Sequence, residues 1–254
     1  MGSLELDHPA PHVARLTISN PAKRNALDRP ILDALAETLP ALAARCILLT
    51  GAGEIFSAGY DIGDLAPNRL AEEAAELVAH PFQNALEALD AVEVPVVAAL
   101  NGHAIGGGLE LAMACDLRVA AAGARMGMPP GRLGLVYSHT GVRRFLEAVG
   151  AARARELFLT ARLIDAETAL SWGLVNDVVG RDGLEARGVS MAAHVASLAP
   201  LSQRGNKRVL RELLAGTPDE DALNALREQA FRSEDFAEGV RAFVEKRSPE
   251  WKGR

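Results

Sequence analysis

The chain has 254 residues, hydrophobic side chains at nearly half of them and a formal net charge of −6. That length supports one large domain with a sizeable core, and the acidic balance without a Lys/Arg cluster disfavours nucleic acid as a partner. No apolar run is long enough to span a bilayer, the first residues lack a basic-then-apolar leader pattern, and Leu6 breaks the N-myristoylation motif, so a cytoplasmic protein with no membrane partner is expected.

In chain order, "HVARLTIS" (12–19) alternates apolar and polar residues and predicts a strand. The loop "NPAKRNALDRP" follows, with Asp28 placed to cap a helix over 31–44 and Pro30 in its first turn. "CILLT" (46–50) reads as a buried strand, 51–65 as a glycine-punctuated loop, and 71–92 as one or two helices interrupted near Pro81. "VPVVAAL" (94–100) and "DLRVAA" (116–121) are further strands, separated by the turn "NGHAIGGG" and a short helix over 109–115. An irregular Gly/Pro-rich loop (126–141) leads to helices over 141–149, 151–160 and 165–172 and a strand over 174–179. From Gly183 the pattern is helical, broken at Pro200 and Pro218. This divides the chain into an α/β part (1–180) and a helical part (181–254), and strands separated by helices predict mostly parallel pairing. Cys46 and Cys115 lie far apart in apolar segments, which suits buried free thiols in a reducing compartment.

Several chemistries lack their motif. There is no GxxxxGK[ST], no HExxH and no GxSxG, and the six histidines show no metal-ligand spacing, so no metal is expected. Two glycine loops remain, each after a buried strand: Phe56-Ser57-Ala58-Gly59-Tyr60-Asp61 and Ile105-Gly106-Gly107-Gly108. Small residues let backbone approach a ligand and free N–H groups to point at it. Two such loops can aim two N–H donors at one oxygen, an arrangement suited to a carbonyl that becomes an enolate, and a helix starting at Gly107 adds its positive end. Glu110 follows directly; a buried carboxylate there is either paired with a cation such as Arg132 or engaged in proton transfer, and the second reading is favoured.

"NPAKRNAL", "FSAGYDI", "VPVVAALNGHAIGGGLELAMACD", "RLGLVYSHTG" and "SEDFAEGVRAFVEKRSPEW", in that order, resemble the enoyl-CoA hydratase/isomerase family of the crotonase superfamily. The resemblance implies an α/β fold: a spiral of ββα units over residues 1–180 holding an acyl-CoA site, with residues 181–254 forming a helical trimerisation region that builds homotrimers or dimers of trimers. It implies an oxyanion hole from the amides of Tyr60 and Gly107, with Glu110 facing the acyl carbons beside the thioester. No cofactor is implied beyond the coenzyme A of the substrate. Family hydratases use a second glutamate, and Pro130 stands in its place here. A single carboxylate can still act as acid and base by turns.

Tyr137, Ser138 and His139 occupy positions where hydratases carry Pro, Gly and a small residue. Tyr137, with the lone Glu110 and "SAGYDI", also resembles methylmalonyl-CoA decarboxylase, in which an enolate forms by loss of CO2. The expected catalytic set is therefore Glu110, Tyr137 and His139, although a surface role suits His139 equally. Asp61 is expected to cap a helix, and His103 to support the glycine turn. Contacts to coenzyme A are implied for Lys23, Arg24 and Ala58, and for Phe243 and Lys246 of the terminal F-x-x-K, which reaches coenzyme A on a neighbouring subunit in the family. A non-catalytic acyl-CoA- or RNA-binding scaffold is the alternative of another class.

Overall fold

The computed structural model describes residues 1–61, 69, 72, 73, 76 and 78–254. Its large sheet runs in the order β1 (Ser3–Ala10), β2 (Val13–Ser19), β3 (Cys46–Gly51), β4 (Val96–Leu100), β6 (Leu117–Ala121) and β9 (Asp177–Val179). A small sheet holds β5 (Ala104–Ile105), β7 (Arg125–Gly127) and β8 (Ile164–Asp165). The β1–β2 and β7–β8 pairs are antiparallel; the remaining ladders are parallel.

Successive turns of the chain repeat one unit. A strand enters the large sheet, a short strand enters the small sheet, and a helix returns. Thus β4 and β5 lead to α3 (Gly107–Met113), and β6 and β7 lead to α4 (His139–Thr160). This is the expected α/β spiral.

The buried strands read as unbroken apolar runs because both faces of the sheet are covered. In β4, Val96, Ala98 and Leu100 point into the main core with α1 (Arg29–Thr38) and α2 (Gln83–Ala91), while Val97 and Ala99 point into a second core. The second core is closed by α6 (Leu184–Ala196) through Leu184, Ala192, Val195 and Ala196. α5 (Ala166–Trp172) lies between β8 and β9, and α7 (Pro200–Ala215), α8 (Glu220–Phe231) and α9 (Glu234–Glu245) complete the chain. The two cysteines are buried and free. Among the described residues no helix is long and apolar enough to cross a membrane.

Several boundaries differ from the sequence expectation. β1 was not foreseen: it is an edge strand, mostly exposed, and so carries no apolar alternation strong enough to mark it. α1 stops at Thr38 rather than running to residue 44, because the following turn, Leu39–Ala41, is 3-10 and contains Pro40. Asp28 caps α1 as expected, accepting from the Ile31 N–H at 3.2 Å. The helices expected over 141–149 and 151–160 form one element broken at Gly150, where φ is 75°. The predicted helical stretch 71–92 is seen as a π turn over Val78–Phe82 that contains Pro81, followed by α2; most of its first half lies outside the described residues.

Candidate active site

The two glycine loops meet. Ser57 anchors the first: its N–H donates to the His103 carbonyl at 3.1 Å and its carbonyl accepts from Ile105 N–H at 3.0 Å. Leu27 then grips the strand on one side, its N–H donating to Gly59 O at 2.7 Å and its carbonyl accepting from Asp61 N–H at 3.1 Å. Successive groups of an extended strand alternate in direction, so the Tyr60 N–H faces away from Leu27. In the second loop, Gly106 N–H donates to Gly127 O at 2.9 Å and α3 begins at the next residue. The first N–H groups of a helix have no partner within it.

Close approach is what the glycines permit. A methyl on Gly107 would sit 2.7 Å from the Tyr60 ring, and one on Gly108 2.6 Å from Ser57 Cβ. One on Gly59 (φ 100°) would sit 3.5 Å from the Gly107 nitrogen. Gly59 thus packs against the start of α3.

Glu110, in the first turn of α3, is 1% exposed. Tyr137 O–H donates to its Oε2 at 2.5 Å, and the Tyr60 hydroxyl lies 3.4 Å from that of Tyr137. Burial pushes the Glu110 carboxyl above the usual range, opposed by the Tyr137 bond and the Arg144 charge. Burial likewise pushes the Tyr60 and Tyr137 hydroxyls up, reinforced by the Glu110 charge. Arg144 is itself held by Asp90 through two bonds of 2.9 and 2.6 Å. The rings are fixed by edge contacts, Tyr60 with Phe82 at 4.8 Å and Tyr137 with Phe158 at 5.6 Å between centroids.

The other expected residues are dispersed. Arg132 does not pair with Glu110; it donates to Ala161 O at 2.8 Å. Pro130 is buried in a 3-10 turn. His139 is exposed as the first residue of α4, with no hydrogen bond to Glu110 or Tyr137 among the described residues. His103 supports the turn, its Nδ1 accepting from Arg125 N–H at 3.0 Å. Lys23 pairs with Asp61 at 2.7 Å, and Ala58 N–H donates to the Arg24 carbonyl at 3.1 Å, which gathers these four residues beside the first glycine loop. Any capping by Asp61 falls on residues 62–68, outside the described residues. Phe243, 85% exposed, and Lys246 stand at the end of α9.

Three contributions were not foreseen, two from residues outside the expected set and one from a side chain within it. Gly141 lies against the carboxylate: a methyl there would be 2.5 Å from Glu110 Oε1. Asn25 is buried and donates to the Ala52 and Ile55 carbonyls at 2.8 and 2.6 Å, holding the first loop. The third is the Tyr60 ring, which sequence reasoning valued only for its amide. Asn25 and Gly141 stand in the stretches "NPAKRNAL" and "RLGLVYSHTG", so their motifs were visible while their contacts were not.

Comparison with known proteins now decides the family. The enoyl-CoA hydratase/isomerase profile matches residues 10–254. The chain belongs to this family, in the crotonase superfamily. It is 36% identical over 253 residues to "Probable enoyl-CoA hydratase" of Bacillus subtilis, covering 95% of each chain. It is 34% identical over 251 residues to 2,3-dehydroadipyl-CoA hydratase of Escherichia coli, covering 95% of this chain and 96% of the relative. Among solved structures, an enoyl-CoA hydratase/isomerase family protein from Hyphomonas neptunium superposes with a TM-score of 0.91 at 36% identity, covering 99% of this chain and 98% of the other. As a member of the enoyl-CoA hydratase/isomerase family, the protein is an enzyme of a family that acts on acyl-CoA.

Proposed function

We propose that the protein stabilises the enolate of an acyl-CoA thioester. The Tyr60 and Gly107 amides hold the thioester oxygen, and Glu110 moves the proton. The observation that carries this reading is the meeting of the two glycine loops at the start of a helix whose first turn holds a buried carboxylate. Preorganised donors in a water-poor site are worth far more than the same donors in water, and a carboxyl raised by burial exchanges protons nearer neutrality than an exposed one. No metal and no separate cofactor enters this chemistry. Lys23, Arg24 and Ala58 lie where the coenzyme would approach the first loop.

Hydration of an enoyl-CoA is the first reading, supported by the named activity of the E. coli relative. Decarboxylation of a methylmalonyl-CoA-type substrate is the second, favoured by Pro130, which supplies no second acid or base. A scaffold without catalysis fits poorly with a carboxylate kept buried beside two phenols.

Incubation with crotonyl-CoA and, separately, methylmalonyl-CoA tests the reading. Water addition to the first supports hydratase; CO2 release from the second supports decarboxylase. Glu110→Gln should lower either turnover by about 10²- to 10⁴-fold. Unchanged turnover removes Glu110 as proton carrier.

We further assign the exposed apolar side chains of α7–α9, among them Leu210, Leu213, Phe236, Val240 and Phe243, to contacts in a homotrimer or dimer of trimers, in a cytoplasmic setting.

A further inference from the structure

The hydrogen-bond chain Glu110–Tyr137–Tyr60 has a direction that proton counting fixes. A phenol has one proton to donate, and an ionised carboxylate only accepts. With Glu110 ionised, the Tyr137 proton lies on the 2.5 Å bond to Oε2. The 3.4 Å contact between the hydroxyls must then be donated by Tyr60. That leaves Tyr60 with free lone pairs and no free proton, so its far side accepts.

When Glu110 carries a proton, the whole chain can reverse. Glu110 donates to Tyr137, Tyr137 donates to Tyr60, and the Tyr60 proton is released to donate outward. The two ends of the chain therefore exchange a proton without any group in the middle ionising. This matters because burial holds both phenols well above the range in which they would ionise.

We propose that the Tyr60 side chain is the outer end of a proton relay that lets the single carboxylate of Glu110 act at two points of the substrate. The inference rests on the enolate reading above and deepens it. Pro130 supplies no second acid or base, and the relay takes that task. The Tyr60 hydroxyl then accepts from a neutral O–H donor at the acyl β-carbon: water on the way in, or the hydroxyl of a β-hydroxyacyl thioester on the way out. A carboxylate, which only accepts, finds no donor at Tyr60 while Glu110 is ionised. The Arg144 guanidinium is committed to Asp90 through both terminal nitrogens, and only its buried Nε–H is without a partner among the described residues.

The water oxygen bonds to the β-carbon, and the π pair moves to the thioester oxygen held by the two amides. The water proton passes to Tyr60 as the Tyr60 proton passes to Tyr137 and the Tyr137 proton to Glu110. Glu110 then protonates the α-carbon, the enolate collapses to the thioester, and the relay returns to its first state.

Two activities separate the ends of the relay. Exchange of the α-proton of butyryl-CoA in D2O needs only Glu110 and the two amides; hydration of crotonyl-CoA also needs Tyr60. Tyr60→Phe keeps the ring against Gly107 and the backbone amide while removing the hydroxyl. The expected result is that the ratio of hydration to exchange falls by about 100-fold or more. Because both rates come from one preparation, any loss of folded protein cancels. An unchanged ratio overturns the relay, whether both rates fall together or neither does. A wild-type enzyme that exchanges but does not hydrate also overturns it, leaving the enolate reading standing. A wild-type enzyme that does neither, and releases no CO2 from methylmalonyl-CoA, overturns the enolate reading itself.

Discussion

Two helices of this protein each hold a glutamate, and the surroundings give the two carboxyls opposite characters. In α3, Glu110 is 1% exposed, faces a phenol, and is pushed up by burial. In α9, Glu238 accepts from both ends of the Arg247 guanidinium at 2.6 and 3.0 Å and is pulled down to about 2. The contrast extends to the apolar side chains around them. Every residue of β4 is buried, whereas on α9 Phe236, Val240, Phe243 and Val244 are exposed. The spiral core is finished within one chain. The last helices leave apolar side chains exposed, and their carboxylates hold arginines and backbone N–H groups, as Glu238 and Asp235 do.

The sharpest way to break this contrast is to disturb the space around Glu110 without touching its charge. Gly141→Ala places a methyl 2.5 Å from Oε1, so the carboxylate must shift. A displacement of that order far from covalent chemistry costs about 10²-fold in rate. Steady-state kinetics should show this loss in kcat with KM little changed, since Gly141 does not border the residues placed beside the coenzyme. A variant with wild-type kcat would show that the tight seat of Glu110 has no catalytic consequence.

Next in size is the outer region. Replacing Val240 and Phe243 by Asp puts two charges into a face whose apolar side chains are 51% and 85% exposed in the single chain. Light scattering should report a multiple of the chain mass for the wild type and the monomer mass for the double variant, with CD spectra alike. A wild type that is monomeric would end the assignment of this face to subunit contacts.

How far each region could be read in advance follows the same division. β3 and β4 were legible because a sheet buried on both faces leaves an unbroken apolar signature. The cap at Asp28 and the glycine loops were legible because backbone geometry restricts which residues can stand there. β1 was not, since an edge strand is held by pairing with β2 more than by apolar burial. Nor was the Tyr60–Tyr137–Glu110 chain. Its members lie 77 and 27 positions apart, and nothing local in "SAGYDI" marks the ring as more than the bearer of an amide. Local rules found the loops; only the three-dimensional packing brings the phenols onto the carboxylate.

The smallest effect separates the two glutamates by the sign of their pH dependence. A carboxyl raised in the folded state, as Glu110 is, binds more protons folded than unfolded, so its contribution to stability falls as pH rises above the ordinary value of 4.5. A carboxyl lowered in the folded state, as Glu238 is, contributes above 4.5, and that contribution is lost as pH falls from there toward about 2. Thermal scans of Glu110→Gln and Glu238→Gln against the wild type should therefore diverge in opposite directions. The Glu238 variant melts lower than wild type at pH 7 and converges with it in acid. The Glu110 variant gains on the wild type as pH rises from 4 to 8. For Glu238 the expected difference is about 2 °C or less, because surface ion pairs are screened. Parallel slopes for the two variants would mean that the buried carboxyl is stabilised as an anion, and the reason to regard it as a proton carrier would go with it.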